Sequence, residues 1–181
     1  MISKSIAEEI AHPTESKKIN NLIAPVRYPI VLKRILAPTD LTPGARKAVK
    51  YALALAQHFD SQLTIMHVYY PADDAQFSTG NYDYKAAELE RENAWDALDT
   101  FRSEIKQEYP RIDTLLRSGR PEEEIVEAAK DLDVDLIVLS THNYHWFPHL
   151  VHGSDAERVL RNAPCPVLVV RKEEHDFVAT D

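Results

Sequence analysis

The sequence predicts a doubly wound α/β fold, a five-stranded parallel sheet with helices on both faces. Three observations carry that expectation. From Ile30 onward, short β-type runs alternate with helical stretches, and such alternation implies parallel strands joined by right-handed crossovers. Runs such as IVL and VLVV are apolar at consecutive positions, as strands buried on both faces require. The chain has 181 residues, 44% of them hydrophobic, enough for one ordinary domain with a core, or one domain plus a tail.

Residues 1–29 lack sustained periodicity and carry prolines at 13, 25 and 29. They read as a flexible N-terminal arm. The domain proper is expected over 30–172, followed by a C-terminal tail at 173–181. Its first strand is VLKRILA (31–37), ended by the turn signal PTDLTPG. Thr42 followed by Pro43 is a good helix start: the hydroxyl caps an orphan N–H, and proline at the first helical position loses nothing. Ala45, Ala48, Val49, Ala52, Leu53, Ala56 and Phe59 then repeat at helical spacing. QLTIMHVYY (62–70) is the second strand, and a polar loop over 71–82 follows.

A second helix is expected over 84–109, with Leu89, Trp95, Leu98, Phe101 and Ile105 on one side. DTLLRSG (113–119) reads as the third strand and PEEEIVEAAKDL (121–132) as a short helix. Three glutamates in its first turn and Lys130 near its end are the order that the helix dipole favours. DLIVLS (135–140) is the fourth strand. After a His-rich stretch come a helix over 154–162 and a last strand, PVLVVR (166–171). In a doubly wound sheet, ligands sit beyond the carboxyl ends of the strands where the order reverses. PTD at 38–40 and STHN at 140–143 are therefore the segments to watch.

Composition removes several classes. The four glycines, Gly44, Gly80, Gly119 and Gly153, come no closer than 34 residues apart. No GxGxxG or GxxxxGKS loop exists, which excludes Rossmann dehydrogenases, P-loop NTPases and protein kinases. The net charge is -8, and an acidic chain does not suit a nucleic-acid backbone. No apolar run reaches the ~18 residues of a membrane span, no secretory leader is evident, and the single Cys165 fits a reducing compartment. A cytoplasmic setting is expected. Cys165 lies between Pro164 and Pro166 and reads as a buried or interfacial thiol without activation.

RILAPTDLTPGARKAVKYALALA, SGRPEEEIVEAAKDLDVDLIVLSTH and HGSDAERVLRNAPCPVLVVR, in that order and spacing, resemble the universal stress protein family over about residues 31–171. The resemblance implies strand order 3-2-1-4-5, with the reversal between strands one and four. Members of the family that bind ATP resemble G-x2-G-x9-G-S after strand four. The corresponding positions here are Ser140, Asn143, Gly153 and Ser154, so two glycines are gone and the final Gly-Ser remains. The resemblance further implies that Asp40 faces the ribose side, that Pro38 and Val68 line an adenine pocket, and that Gly153 and Ser154 hold phosphate oxygens.

Each of these positions also has a structural use. Asp40 can accept hydrogen bonds from sugar hydroxyls, or close an Asx turn before the helix; the residue types leave both open. SDAE at 154–157 is a capping box, and Asp155 puts a negative charge where a phosphate would lie. Ser140 and Asn143 bring side chains where glycine gives free backbone approach. Strain of about 1–3 kcal/mol at each weakens binding by about one to four decades, at ~1.4 kcal/mol per decade. ATP is therefore a possible ligand of a degraded site.

His142, His145, His149 and His152 are spaced by three, four and three residues, a helical-face spacing that can chelate zinc or sense protons near pH ~6.5. Pro148 breaks such a helix, and no cysteine accompanies the set, so a packing or partner surface is the expected use. No candidate base stands beside a phosphate cradle and no GxSxG surrounds Ser140, so turnover is not expected. VLVV (167–170) falls at an edge in the implied strand order without a charge to protect it. A homodimer through strand 166–171 is the expected resolution, and the resemblance implies the same. The expectation is a non-catalytic binding or regulatory module of the stress response. The alternatives are an ATP sensor that retains the site and a metal- or pH-responsive His loop.

Overall fold

Asp135 starts the sheet. Its carboxylate Oδ2 accepts hydrogen bonds from the backbone N–H groups of Lys33 (2.6 Å) and Arg34 (2.9 Å), tying the entry of the first strand to that of the fourth. The computed structural model describes residues 29–69, 84–140, 155–171 and 178. Two compact units divide the chain between Val31 and Leu32; the fold below is that of the second.

The strands are β1 (Arg34–Pro38), β2 (Gln62–Tyr69), β3 (Ile112–Ser118), β4 (Leu136–Ser140) and β5 (Val167–Val170), and the helices are α1 (Pro43–Phe59), α2 (Tyr84–Lys106), α3 (Pro121–Asp131) and α4 (Asp155–Asn162). All strand pairings are parallel, in the order β3-β2-β1-β4-β5. The expected architecture and strand order are both present.

Two apolar layers sandwich the sheet. Ala48, Ala52 and Ala56 of α1 with Leu98 and Phe101 of α2 cover Ile35, Ala37, Leu63 and Ile65 on one face. On the other face Ile125, Ala128 and Ala129 of α3 with Val159 of α4 cover Leu36, Met66, Val68 and Ile137. Neighbours along β1 alternate between the layers, as the strand period of two dictates. The chain thus leaves β1 toward one face and β4 toward the other, which opens a crevice between their carboxyl ends.

Three expectations need correction. The first strand begins at Arg34, not Val31: Val31 is exposed, and the Asp135 carboxylate takes the N–H groups of Lys33 and Arg34. Leu89 and Trp95 do not join the buried side of α2, being 57% and 45% exposed. A helix of 23 residues runs ~35 Å, while the seven residues of β3 span ~23 Å, so the first turns of the helix, Leu89 among them, overshoot the strand. Length does not account for Trp95, which lies only three residues from buried Leu98. Finally, VLVV is not buried on both faces. Of β5 only Val170 is buried, and Val167, Leu168 and Val169 are half-buried, because an edge strand has a single neighbour.

Candidate functional site

The turn after β1 is built almost entirely from its own side chains. Thr39 is buried, and its N–H donates to the Met66 carbonyl (2.8 Å), continuing the β1–β2 ladder. Its hydroxyl accepts from the Leu41 N–H (3.0 Å). Its carbonyl lies 2.8 Å from His67 Nδ1; a carbonyl only accepts, so Nδ1 carries the hydrogen. Asp40 Oδ1 accepts from both the backbone N–H (3.0 Å) and the hydroxyl (2.6 Å) of Thr42. The same hydroxyl accepts from the Ala45 N–H (3.4 Å). It is the predicted N-cap, with Pro43 in the first turn.

Between these two small turns Leu41 adopts φ 63°. A left-handed leucine costs ~1 kcal/mol or more, and the Thr39 and Asp40 hydrogen bonds hold it there. One oxygen of Asp40 is committed to the Asx turn.

Pro38 is the last residue of β1 and is buried. Val68 sits near the end of β2, 3% exposed, packed in the layer beneath α3 and α4. Ser140 ends β4, half-buried and in register with Val170. Pro38, Asp40 and Ser140 therefore stand together at the carboxyl ends of the two strands that flank the reversal. Ser140 is not among the described residues with positive φ. Asn143, Gly153 and Ser154 lie outside the described residues, as do His142, His145, His149 and His152. Among the described residues no group of three or more His, Cys, Asp or Glu is placed to hold a metal.

Two further helices begin at this end of the molecule. Gly119, at φ 141°, turns the chain from β3 into α3. A Cβ there would lie 3.0 Å from Glu124 Oε1, so both the conformation and the space favour glycine. Pro121 opens α3, and Glu122, Glu123 and Glu124 fill its first turn as expected. Glu122 is 7% exposed, and its Oε1 accepts from Arg120 Nη2 and from Arg158 Nη1, both at 2.6 Å. Asp155 opens α4. Burial pushes its carboxyl above the usual range, the charge of Glu122 adds to that, and Arg158 and Arg120 pull the other way. Glu157 Oε1 accepts from Arg161 (3.1 Å). Cys165 is half-buried, and burial raises its thiol pKa, in keeping with an unactivated cysteine.

A separate groove of about 350 Å³ opens between α1 and α2, lined by Leu41, Arg46, Asp96, Ala97, Thr100, Phe101 and Glu104. Its cation is already engaged: Arg46 stacks 4.5 Å from the Phe101 ring centroid and pairs with Glu104 at 2.6 Å.

The model of the universal stress protein family matches residues 32–171, nearly the whole unit just described. The chain belongs to the universal stress protein family. A universal stress protein of Methanocaldococcus jannaschii is 33% identical over 148 residues, covering 80% of this chain and 85% of that protein. The solved UspA of Lactobacillus plantarum superposes with a TM-score of 0.65 at 25% identity, over 79% of this chain and all of that one. A universal stress protein solved in complex with cAMP gives a TM-score of 0.59 at 19% identity, over 80% of this chain and all of that one; at that identity the likeness is one of fold. No described helix is long and apolar enough to cross a membrane.

The turn that holds Asp40 lies after the carboxyl end of β1, and Gly153 lies outside the described residues. The contributions of His67 and Thr39, and the pairing of Glu122 with Arg158, were not read from the sequence. A histidine in the β-type run QLTIMHVYY was a usable signal, since a half-buried polar side chain on a strand must find a partner.

Proposed function

We propose that this chain is a cytoplasmic, non-catalytic regulatory module of the stress response whose adenine-nucleotide site is degraded. The observation that carries the reading is the Asp40 turn: Oδ1 holds Thr42 through two hydrogen bonds, so a sugar hydroxyl must compete with contacts that also start α1. Two features of the phosphate side point the same way. Ser140 and Asn143 replace the glycines of the nucleotide-binding pattern, and Asp155 sets a carboxylate in the first turn of α4, where the dipole would otherwise attract phosphate. The module works as a homodimer through strand 166–171. Half-buried Val167, Leu168 and Val169 on an edge strand support that pairing.

A retained nucleotide site is the second reading, and it is favoured by the family member solved with cAMP. Protein purified without added ligand, denatured and chromatographed for released nucleotides, decides between them. The proposal expects far less than one adenine nucleotide per protomer. Stoichiometric release would overturn it.

A further inference from the structure

Helix α4 is a weak element in an exposed position. It has eight residues, of which only Val159 is buried, and isolated helices of that length are not stable in water. Ala156 packs partly buried against the layer under α3. Something more must hold its first turn, because its N-terminus stands directly after the segment that leaves β4.

The structure supplies that hold from α3. Glu122 is buried, and its Oε1 is shared by two guanidinium groups: Arg120, from the turn that precedes α3, and Arg158, one turn into α4. The two arginines are not equivalent. Arg120 also pairs with Glu123 at 2.9 Å, so its hydrogen bonds stay within the start of α3, and only its charge reaches Asp155. Arg158 crosses from one helix to the other. Its side chain is only 33% exposed, and charge-assisted hydrogen bonds of this kind are short, directional and stronger than neutral ones.

We propose that Glu122 is a positioning residue for the candidate site: through Arg158 it fixes the first turn of α4, the helix that follows β4 in the chain. As a statement about ligands this rests on the nucleotide reading above, in its weakened or retained form. As a statement about α4 it stands independently.

The test combines amide hydrogen exchange with nucleotide titration on the full chain. The variants are Glu122→Gln, which keeps the shape, Glu122→Ala, Arg158→Ala, the Glu122→Ala/Arg158→Ala pair and Arg120→Ala. Without nucleotide, exchange at Val159–Asn162 is expected to speed up about tenfold in Glu122→Ala and Arg158→Ala, the equivalent of one charge-assisted contact. The core amides Leu63–Met66 should be unmoved. The double variant should be no faster than either single one, because both remove the same contact. Arg120→Ala should stay within twofold of the wild type. In titrations with cAMP, affinity should fall in the same variants and be kept in Arg120→Ala.

Equal α4 exchange in the wild type and Glu122→Ala, or additive effects in the double variant, would overturn the proposal. So would equal losses from Arg120→Ala and Arg158→Ala. If neither the wild type nor any variant binds cAMP, the retained-site reading falls and the degraded one stands, while the exchange rates still decide the role of Glu122.

Discussion

Replacing Asp40 separates a turn-building carboxylate from a sugar-binding one. In Asp40→Ala, Oδ1 disappears with both of its hydrogen bonds to Thr42, and the Thr42 hydroxyl loses the partner that orients it toward the Ala45 N–H. A hydrogen bond to a charged group is worth about 1.5–3 kcal/mol, and a disturbed N-cap costs about 1 kcal/mol. Partial exposure of Asp40 lets water recover part of that sum, and Leu41 at φ 63° is released from its strained conformation. A net loss of about 2 kcal/mol results. Asp40→Asn keeps an acceptor for the Thr42 N–H and should lose about 1 kcal/mol or less. Urea unfolding of the three proteins, monitored by far-ultraviolet circular dichroism, measures this directly. Heating should show a drop in Tm of about 4–8 °C for the alanine variant, at about 2–4 °C per kcal/mol for a domain of this size. If Asp40→Ala stays within 0.5 kcal/mol of the wild type and instead abolishes nucleotide binding, the carboxylate belongs to a ligand and the reasoning fails.

The remaining predictions are shorter. Asp155 has its folded pKa raised, first by burial and then by Glu122. Its contribution to stability is therefore present below the unfolded pKa and lost as pH rises through the folded one. Asp155→Asn should be more stable than the wild type at pH 7, and the gap should close toward pH 3 in denaturant titrations at both values. Leu168→Lys charges the middle of β5 and should turn a dimer into a monomer by sedimentation velocity, while the Tm of the wild type, unlike that of the variant, should fall as protein is diluted; unchanged mass would reject the edge-strand interface. Cys165, with its thiol pKa raised by burial, should react with a disulfide reagent at pH 7 more slowly than free cysteine, since the thiolate is the nucleophile; an equal or faster rate would reject the burial argument.

How much could be read from the residues alone differs by region. The sheet was the clearest part, because alternation of element type and apolar runs such as LIVLS are repeated over long windows and tolerate local exceptions. Boundaries slipped where side chains replace ladder partners: Lys33 reads as strand, yet Asp135 holds its N–H. α2 misled for a different reason. Its apolar spacing is real, but periodicity says which residues share a stripe and not how far the opposing sheet extends, so Leu89 ends beyond it and Trp95 stays 45% exposed. The start of α1 was readable because Thr42-Pro43 is a local signal with a local mechanism. The roles of His67 and Glu122 were not, since each depends on a partner 28 or 36 residues away that only the fold brings near. Asp40 lay between these cases: its turn-forming chemistry was visible, and its commitment to Thr42 needed geometry.

Calorimetric titration with ATP and magnesium, run on the wild type beside the Ser140→Gly/Asn143→Gly variant, puts the most direct question to a degraded nucleotide site. The wild type should give no heat below millimolar nucleotide, and the variant should tighten by at least tenfold as backbone approach is restored. Micromolar binding by the wild type, unimproved by the two glycines, would contradict the account.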